Sequence, residues 1–149
     1  MIALITGATS GIGKASAEIF ARNGWNLILT GRRKDRLDNF ASDLQKRYKI
    51  KTLNLNFDVR NLKEVVKNIE SIKGEWKNID LLLNNAGLAS GLSTIQDGNI
   101  EDWEIMIDTN IKGLLYMTRH IAPLLIAKNK GHIINVASVA GKQIGRAHV

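Results

Sequence analysis

The stretch Ile2-Ala3-Leu4-Ile5-Thr6-Gly7-Ala8-Thr9-Ser10-Gly11-Ile12-Gly13-Lys14-Ala15 decides how the rest of the chain is read. Its first four residues are apolar without alternation, which suits a strand buried on both faces of a parallel sheet. The strand runs directly into three glycines, Gly7, Gly11 and Gly13, and then into a segment of helical length. Glycines at such a turn let the backbone come close to a ligand, and the free N–H groups of the helix start then face a phosphate. A P-loop would need Gly at Ala8 and Ser or Thr at Ala15, so that motif is excluded. The spacing is Gly-x3-Gly-x-Gly rather than Gly-x-Gly-x2-Gly. By itself this leaves an ordinary Gly-rich turn as the alternative.

Outward from the turn, short apolar runs recur at Leu27-Ile28-Leu29, Leu81-Leu82-Leu83 and Ile133-Ile134-Asn135-Val136, with an alternating run at Thr52–Phe57. Between them lie helix-length segments with apolar residues three and four apart. Gly13–Asn23 carries Ile12, Ala15, Ile19 and Phe20. Asp35–Tyr48 carries Leu37, Phe40, Ala41 and Leu44. Leu62–Ile72 carries Leu62, Val65, Val66, Ile69 and Ile72. A long helix is expected from about Ile100 to Lys128, with Asn99 as N-cap and Asp102 at the capping-box position. Gly24 and Gly74 are expected to end the first and third helices. The order β-α-β-α-β-α-β-α-β predicts an α/β, Rossmann-type, doubly wound parallel sheet with helices on both faces, cut short after the fifth strand.

Composition narrows the class further. The 149 residues suit one domain, and a chain of this size buries roughly 70% of its unfolded surface. The absence of cysteine removes disulfides, thiolate metal sites and Cys nucleophiles. No apolar run approaches the roughly 20 residues of a membrane span, and the N-terminus lacks a signal-peptide pattern. A cytoplasmic protein is expected. The net charge of +7 comes from scattered Lys and Arg, densest at Gly31-Arg32-Arg33-Lys34. With no reader motif or aromatic platform, nucleic acid is not an expected partner. His120, His132 and His148 stand far apart with no carboxylate cluster, so no metal is assigned.

Four motifs together carry a resemblance. Thr6-Gly-x3-Gly-Ile-Gly13, Asp58-Val59, Asn84-Asn85-Ala86-Gly87 and Ser138 after the fifth strand resemble, in order and spacing, the short-chain dehydrogenase/reductase family. The resemblance spans residues 1 to about 143. Gly31-Arg32-Arg33, Asp58-Val59-Arg60-Asn61, Asn84 to Ala89 and Glu101 to Asn110 are similar to the branch that oxidises 3-hydroxy acids such as serine with NADP. The resemblance implies an oxidoreductase that moves a hydride between NADP(H) and a small 3-hydroxy acid or related alcohol or carbonyl, and a homo-oligomeric parent protein.

The residues take these roles by resemblance. Gly7, Gly11 and Gly13, with Ile12 between them, shape the pyrophosphate turn, and Thr9 and Ser10 add hydroxyl donors. Where NAD enzymes place an acid after the second strand, this chain has Arg32 and Arg33. An Arg fork attracts a ribose 2′-phosphate that a carboxylate would repel, so NADP is the expected cofactor. Asp58 accepts from the adenine amino group, with the Val59 backbone beside it; capping the next helix is the alternative for Asp58. Asn85, Ala86 and Gly87 pass along the adenosine ribose, and Asn84 ties the central strands. Asn110 perturbs the long helix and holds a water leading to the catalytic Lys. Ser138 holds the substrate oxygen.

The family's proton transfer needs a Tyr with a Lys four residues later. Tyr48 and Tyr116 are followed at that spacing by Thr52 and His120, and the family position falls just beyond Val149. The chain is therefore read as a fragment, with catalytic residues Ser138 and Asn110 but not the Tyr–Lys pair. Residues 144–149, Ile-Gly-Arg-Ala-His-Val, depart from the branch and can be encoded by a common sequencing adapter. They are read as a non-native tail on a domain of residues 1–143. The other functional class left open is a non-catalytic NADP-binding or regulatory module.

Overall fold

A computed structural model describes residues 1–91 and 93–139. The expected tail at 144–149, and the domain end at 143, lie outside the described residues. Five parallel strands, β1 (Ile2–Ile5), β2 (Asn26–Gly31), β3 (Thr52–Asn56), β4 (Leu81–Asn84) and β5 (His132–Asn135), form one sheet in the order β3-β2-β1-β4-β5. Helices α1 (Gly11–Arg22), α2 (Lys34–Tyr48) and α3 (Leu62–Glu70) alternate with the first four strands. A longer helical run, α4 (Ile100–Ile107) and α5 (Leu114–Ala127), precedes β5.

Strand periodicity sorts the core into two layers. Ala3, Ile5, Leu27, Leu29, Leu81 and Leu83 face α1 and α2, where they meet Ala17, Ala21, Leu37, Phe40, Ala41 and Leu44. Ile2, Leu4, Ile28, Leu55 and Leu82 face the other way, onto Val65, Ile69, Met117, Ile121 and Leu125 of α3 and α5. The continuous apolar runs thus have the expected cause: both faces of the central strands are covered. β5 is an edge, and Ile133 and Ile134 remain 39% and 43% exposed, with nothing over them among the described residues.

Four local expectations are corrected. The buried stripe of α1 is Gly13, Ala17 and Ala21, while Ile12 and Ile19 are more than half exposed. Small residues let this helix lie close to the sheet, which brings its N-terminus over the end of β1. α3 ends at Glu70, and Gly74 instead opens a short 3-10 turn, Gly74–Lys77. The run from Ile100 is one helical course interrupted by a π-helical segment, Asp108–Gly113. Asn99 caps it by accepting from the Glu101 N–H at 2.9 Å. Asp102 does not close a capping box; its carboxylate is taken by the Ser90 hydroxyl.

At the opposite end of the sheet from the glycine turn, Asp80 fastens three strands and α5. Its carboxylate accepts from the Ile2 N–H at 2.8 Å and from Lys128 Nζ at 2.6 Å, and its carbonyl accepts from the His132 N–H at 3.0 Å. Partial burial pushes the Asp80 carboxyl up, but Lys128 and the Ile2 N–H outweigh this and hold it below the ordinary carboxylate range.

Two measurements follow. The lowered Asp80 value makes its contribution to stability full above the unfolded pKa of about 4 and lost as the pH falls through the folded value. Asp80→Asn is therefore expected to flatten the acid limb of a pH–stability curve. Gly113 lies against Val59, and a Cβ there would come within 2.7 Å of Val59 Cγ2. Helix propensity alone predicts that Gly113→Ala stabilises by about 1 kcal/mol. The steric contact predicts the reverse, a lower thermal midpoint, and calorimetry distinguishes the two.

Candidate nucleotide site

The carboxyl ends of β1, β2, β3 and β4 bring most of the sequence-selected residues together. Gly7 follows β1 with φ +65°, a conformation that side chains disfavour. Gly13, buried in the first turns of α1, is constrained by space. A Cβ there would lie 2.3 Å from Asn85 Nδ2 and 2.6 Å from the Gly7 carbonyl oxygen. The first turn of α1 carries no acidic residue, and the Ser10 side chain makes no cap to the helix. A cradle of backbone N–H groups at a 12-residue helix start, without a competing carboxylate, fits a phosphate.

The turn is stitched to the end of β4. Thr6 Oγ1 accepts from both the Asn85 and Ala86 N–H groups, each at 2.9 Å. Asn85 Nδ2 donates back to the Thr6 carbonyl at 2.9 Å and to the Gly7 carbonyl at 3.3 Å. The sequence offers no role for Thr6 beyond its place directly before Gly7, because its partners lie about 80 residues away.

Beyond β2 the site is basic and hydroxyl-rich. Arg33 Nη2 donates to Thr9 Oγ1 at 3.1 Å and to Ser10 Oγ at 3.3 Å, so the glycine turn and the start of α2 share one cluster. Arg32 is exposed, with its Nη1 at 3.8 Å from Asp58 Oδ2. Asp58 is held mainly by Arg60. The Arg60 backbone N–H donates to Oδ1 at 3.0 Å, Nε reaches both oxygens at 3.1 and 3.0 Å, and Nη2 reaches Oδ2 at 2.7 Å. Burial pushes the Asp58 carboxyl up, but the Arg60 contacts and the Arg32 charge hold it below the usual carboxylate range. Asp58 does not cap α3. Asn61 does, accepting from the Glu64 N–H at 3.2 Å, while Glu64 accepts from the Asp58 N–H at 3.1 Å.

The remaining candidates line the β4 side. Asn84 is buried, and its Nδ2 donates to Thr118 Oγ1 and Asn135 Oδ1, both at 2.9 Å, tying β4 to α5 and β5. Asn110 sits in the π-helical segment, exposed rather than buried, yet both its side-chain oxygen and nitrogen are hydrogen-bonded. Oδ1 accepts from the Leu88 N–H at 2.9 Å and Nδ2 donates to the Leu88 carbonyl at 2.8 Å. Asn110 therefore clamps the loop after Gly87, which passes close enough that a Cβ on Gly87 would sit 3.2 Å from Asn110 Oδ1. Val59 is buried against Gly113. Ser138 lies exposed three residues beyond β5, on the same carboxyl side of the sheet. Exposed Ile12 belongs to the turn by position alone. No group of three or more potential metal ligands occurs among the described residues, and none of their helices is long and apolar enough to cross a membrane.

Comparison with known proteins gives this geometry a family. The chain is 46% identical over 141 residues to a protein of Salmonella typhi named NADP-dependent 3-hydroxy acid dehydrogenase YdfG, covering 95% of this chain and 55% of that protein. It is 47% identical over 142 residues to sulfoacetaldehyde reductase 2 of Chromohalobacter salexigens, covering 95% and 56%. The chain thus spans about half the length of the curated relatives it matches. Among solved structures, Escherichia coli serine dehydrogenase superposes with a TM-score of 0.90 at 44% identity, over 96% of this chain and 64% of that one. A closed form of serine dehydrogenase complexed with NADP+ gives 0.88, also at 44% identity, over 97% and 56%. The family model described as short chain dehydrogenase matches residues 1–149, and with these relatives it shows that the chain belongs to the short-chain dehydrogenase family.

Proposed function

We propose that these 149 residues are the cofactor-binding part of an NADP-dependent oxidoreductase acting on a small 3-hydroxy acid or the related carbonyl compound. The observation that carries this reading is the cluster at the end of β2. Arg33, Thr9 and Ser10 are linked by hydrogen bonds and Arg32 is exposed beside them, at the position where a ribose-binding carboxylate would repel a 2′-phosphate. The relatives' names support the cofactor and the substrate class: 3-hydroxy acid dehydrogenase, and serine dehydrogenase complexed with NADP+.

In this reading each residue has a physical task. The turn through Gly7, Gly11, Ile12 and Gly13 receives the pyrophosphate on backbone N–H groups. Arg32 and Arg33 give paired charged donors to the 2′-phosphate, and the Thr9 and Ser10 hydroxyls add donors to phosphate oxygens at the turn. Asp58 accepts from the adenine amino group, with the Val59 backbone beside it. Asn85, Ala86 and Gly87 pass along the ribose. Asn110 fixes the loop at Leu88 and so ties the π-helical segment to the nucleotide-binding loop. Ser138 holds the substrate oxygen. The bound cofactor supplies hydride transfer at the nicotinamide C4. A general acid/base must also move the substrate proton. Tyr48 and Tyr116 are not followed by Lys at the fourth position, so this reading draws the Tyr–Lys pair from outside the 149 residues.

Three outcomes are expected. The full-length protein should bind NADP(H) more tightly than NAD(H), and Arg32→Asp should narrow or invert the preference; equal affinities in the unmodified protein would remove the basis for the cofactor. Steady-state kinetics should show turnover of serine, 3-hydroxypropionate or 3-hydroxyisobutyrate. A preference for sugars or steroids with no turnover of 3-hydroxy acids would refute the substrate class. The 149-residue chain assayed alone, with NADP saturating, should show no dehydrogenase activity. Lost acid/base help typically costs 10²–10⁴-fold, and substrate positioning is lost with it. If the full-length protein binds NADP but turns over none of these substrates, the regulatory reading replaces the catalytic one.

A further inference from the structure

We propose that Arg60 is a specificity-determining positioning residue: by occupying the Asp58 carboxylate it keeps Arg32 out of hydrogen-bond contact with that carboxylate and available for the cofactor's 2′-phosphate. The inference rests on the NADP reading above. Asp58 stands between two guanidinium groups on opposite terms. Arg60, two residues along the chain, engages both carboxylate oxygens through its backbone N–H, Nε and Nη2, at 2.7–3.1 Å. Arg32 Nη1 stays at 3.8 Å from Oδ2, outside hydrogen-bond distance, and the Arg32 side chain is 60% exposed.

Without Arg60 the arrangement would reverse. Asp58 is only 24% exposed, and an ionised carboxylate in that setting takes the nearest strong donor. Arg32 is the cation already beside it and reaches it by closing a gap of about 1 Å, estimated against ordinary N–H···O distances. A guanidinium neutralised by Asp58 has less charge and fewer free donors for a phosphate. Arg60 itself need not touch the cofactor. Its effect on cofactor choice passes through Asp58 and Arg32.

A double-mutant cycle on the full-length protein tests this, reading dissociation constants of NADP+ and NAD+ by titration calorimetry. R60A is expected to reduce the NADP+/NAD+ affinity ratio by about three- to tenfold, in the range of one charge-assisted contact. Adding D58N removes the competing charge, and the ratio should return toward that of the unmodified protein. Both affinities should meanwhile fall together, because a neutral amide oxygen is a weaker acceptor for the adenine amino group than a carboxylate. R60K, which keeps the charge, should retain most of the preference. A purely structural role for Arg60 would weaken both cofactors alike and would not be rescued by D58N. An unchanged ratio in R60A, or no recovery in the double variant, overturns the inference. If R60A does not fold, R60Q takes its place under the same criteria. An unmodified protein that does not prefer NADP+ fails the cofactor reading instead, and that outcome is visible before any variant is made.

Discussion

The site depends on one hydrogen-bonding constraint, the stitch between Thr6 at the end of β1 and Asn85-Ala86 at the end of β4. One hydroxyl satisfies two backbone N–H groups, and one amide answers two carbonyls. Backbone groups at strand ends have lost their ladder partners, and leaving them unpaired in a half-buried place costs about 1–3 kcal/mol each. The stitch removes that cost and fixes the glycine turn against the β4 loop. Gly13 is required because Asn85 occupies the space where a Cβ would go. The turn, the start of α1 and the Asn84–Gly87 loop are therefore set by the same contact.

A second layer of constraints carries this order outward. Arg33 links the start of α2 to Thr9 and Ser10, so β2 delivers a cation to the same turn. Asn110 holds Leu88 from the π-helical segment, and Gly113 in that segment makes room for Val59. An interruption of the regular helix has a structural use here. It turns the Asn110 amide onto a loop backbone while the flanking turns keep Met117 and Ile121 in the core. π-helical turns within α-helices are often found at functional sites, and this one joins the loop after β4 to Val59 after β3.

Electrostatics at the site depends on pairing more than on net charge. The chain's +7 suggests a general attraction for anions, yet the site's three arginines differ in what they meet. Arg60 is bound to the Asp58 carboxylate, while Arg33 meets only two uncharged hydroxyls. Arg32 makes a long ion pair to Asp58 and is largely exposed. Which arginine meets the carboxylate is decided by distance along a short loop and by burial. Neither quantity can be read from a count of Lys and Arg.

The local sequence was enough to determine the layered architecture. Apolar runs such as Leu27–Leu29 and Leu81–Leu83 need cover on both faces, and the intervening periodic segments provide it, so strand, helix and sheet class follow from patterning. The glycine turn and the basic end of β2 were legible because each is a short motif whose chemistry lies in its own residues, whereas the Asn84–Gly87 loop was legible only through the family resemblance. The stripe of α1 was not, because Ala17 and Ala21 carry little hydropathy signal, and only the close approach of helix to sheet selects them over Ile12 and Ile19. The Thr6 stitch and the Asn110–Leu88 clamp were decided by tertiary structure alone, and the placing of Arg32 at a distance from the Asp58 that Arg60 holds was decided by how β2 and β3 sit side by side. Each depends on side-chain distances that the folded backbone fixes, the first two between segments far apart in sequence.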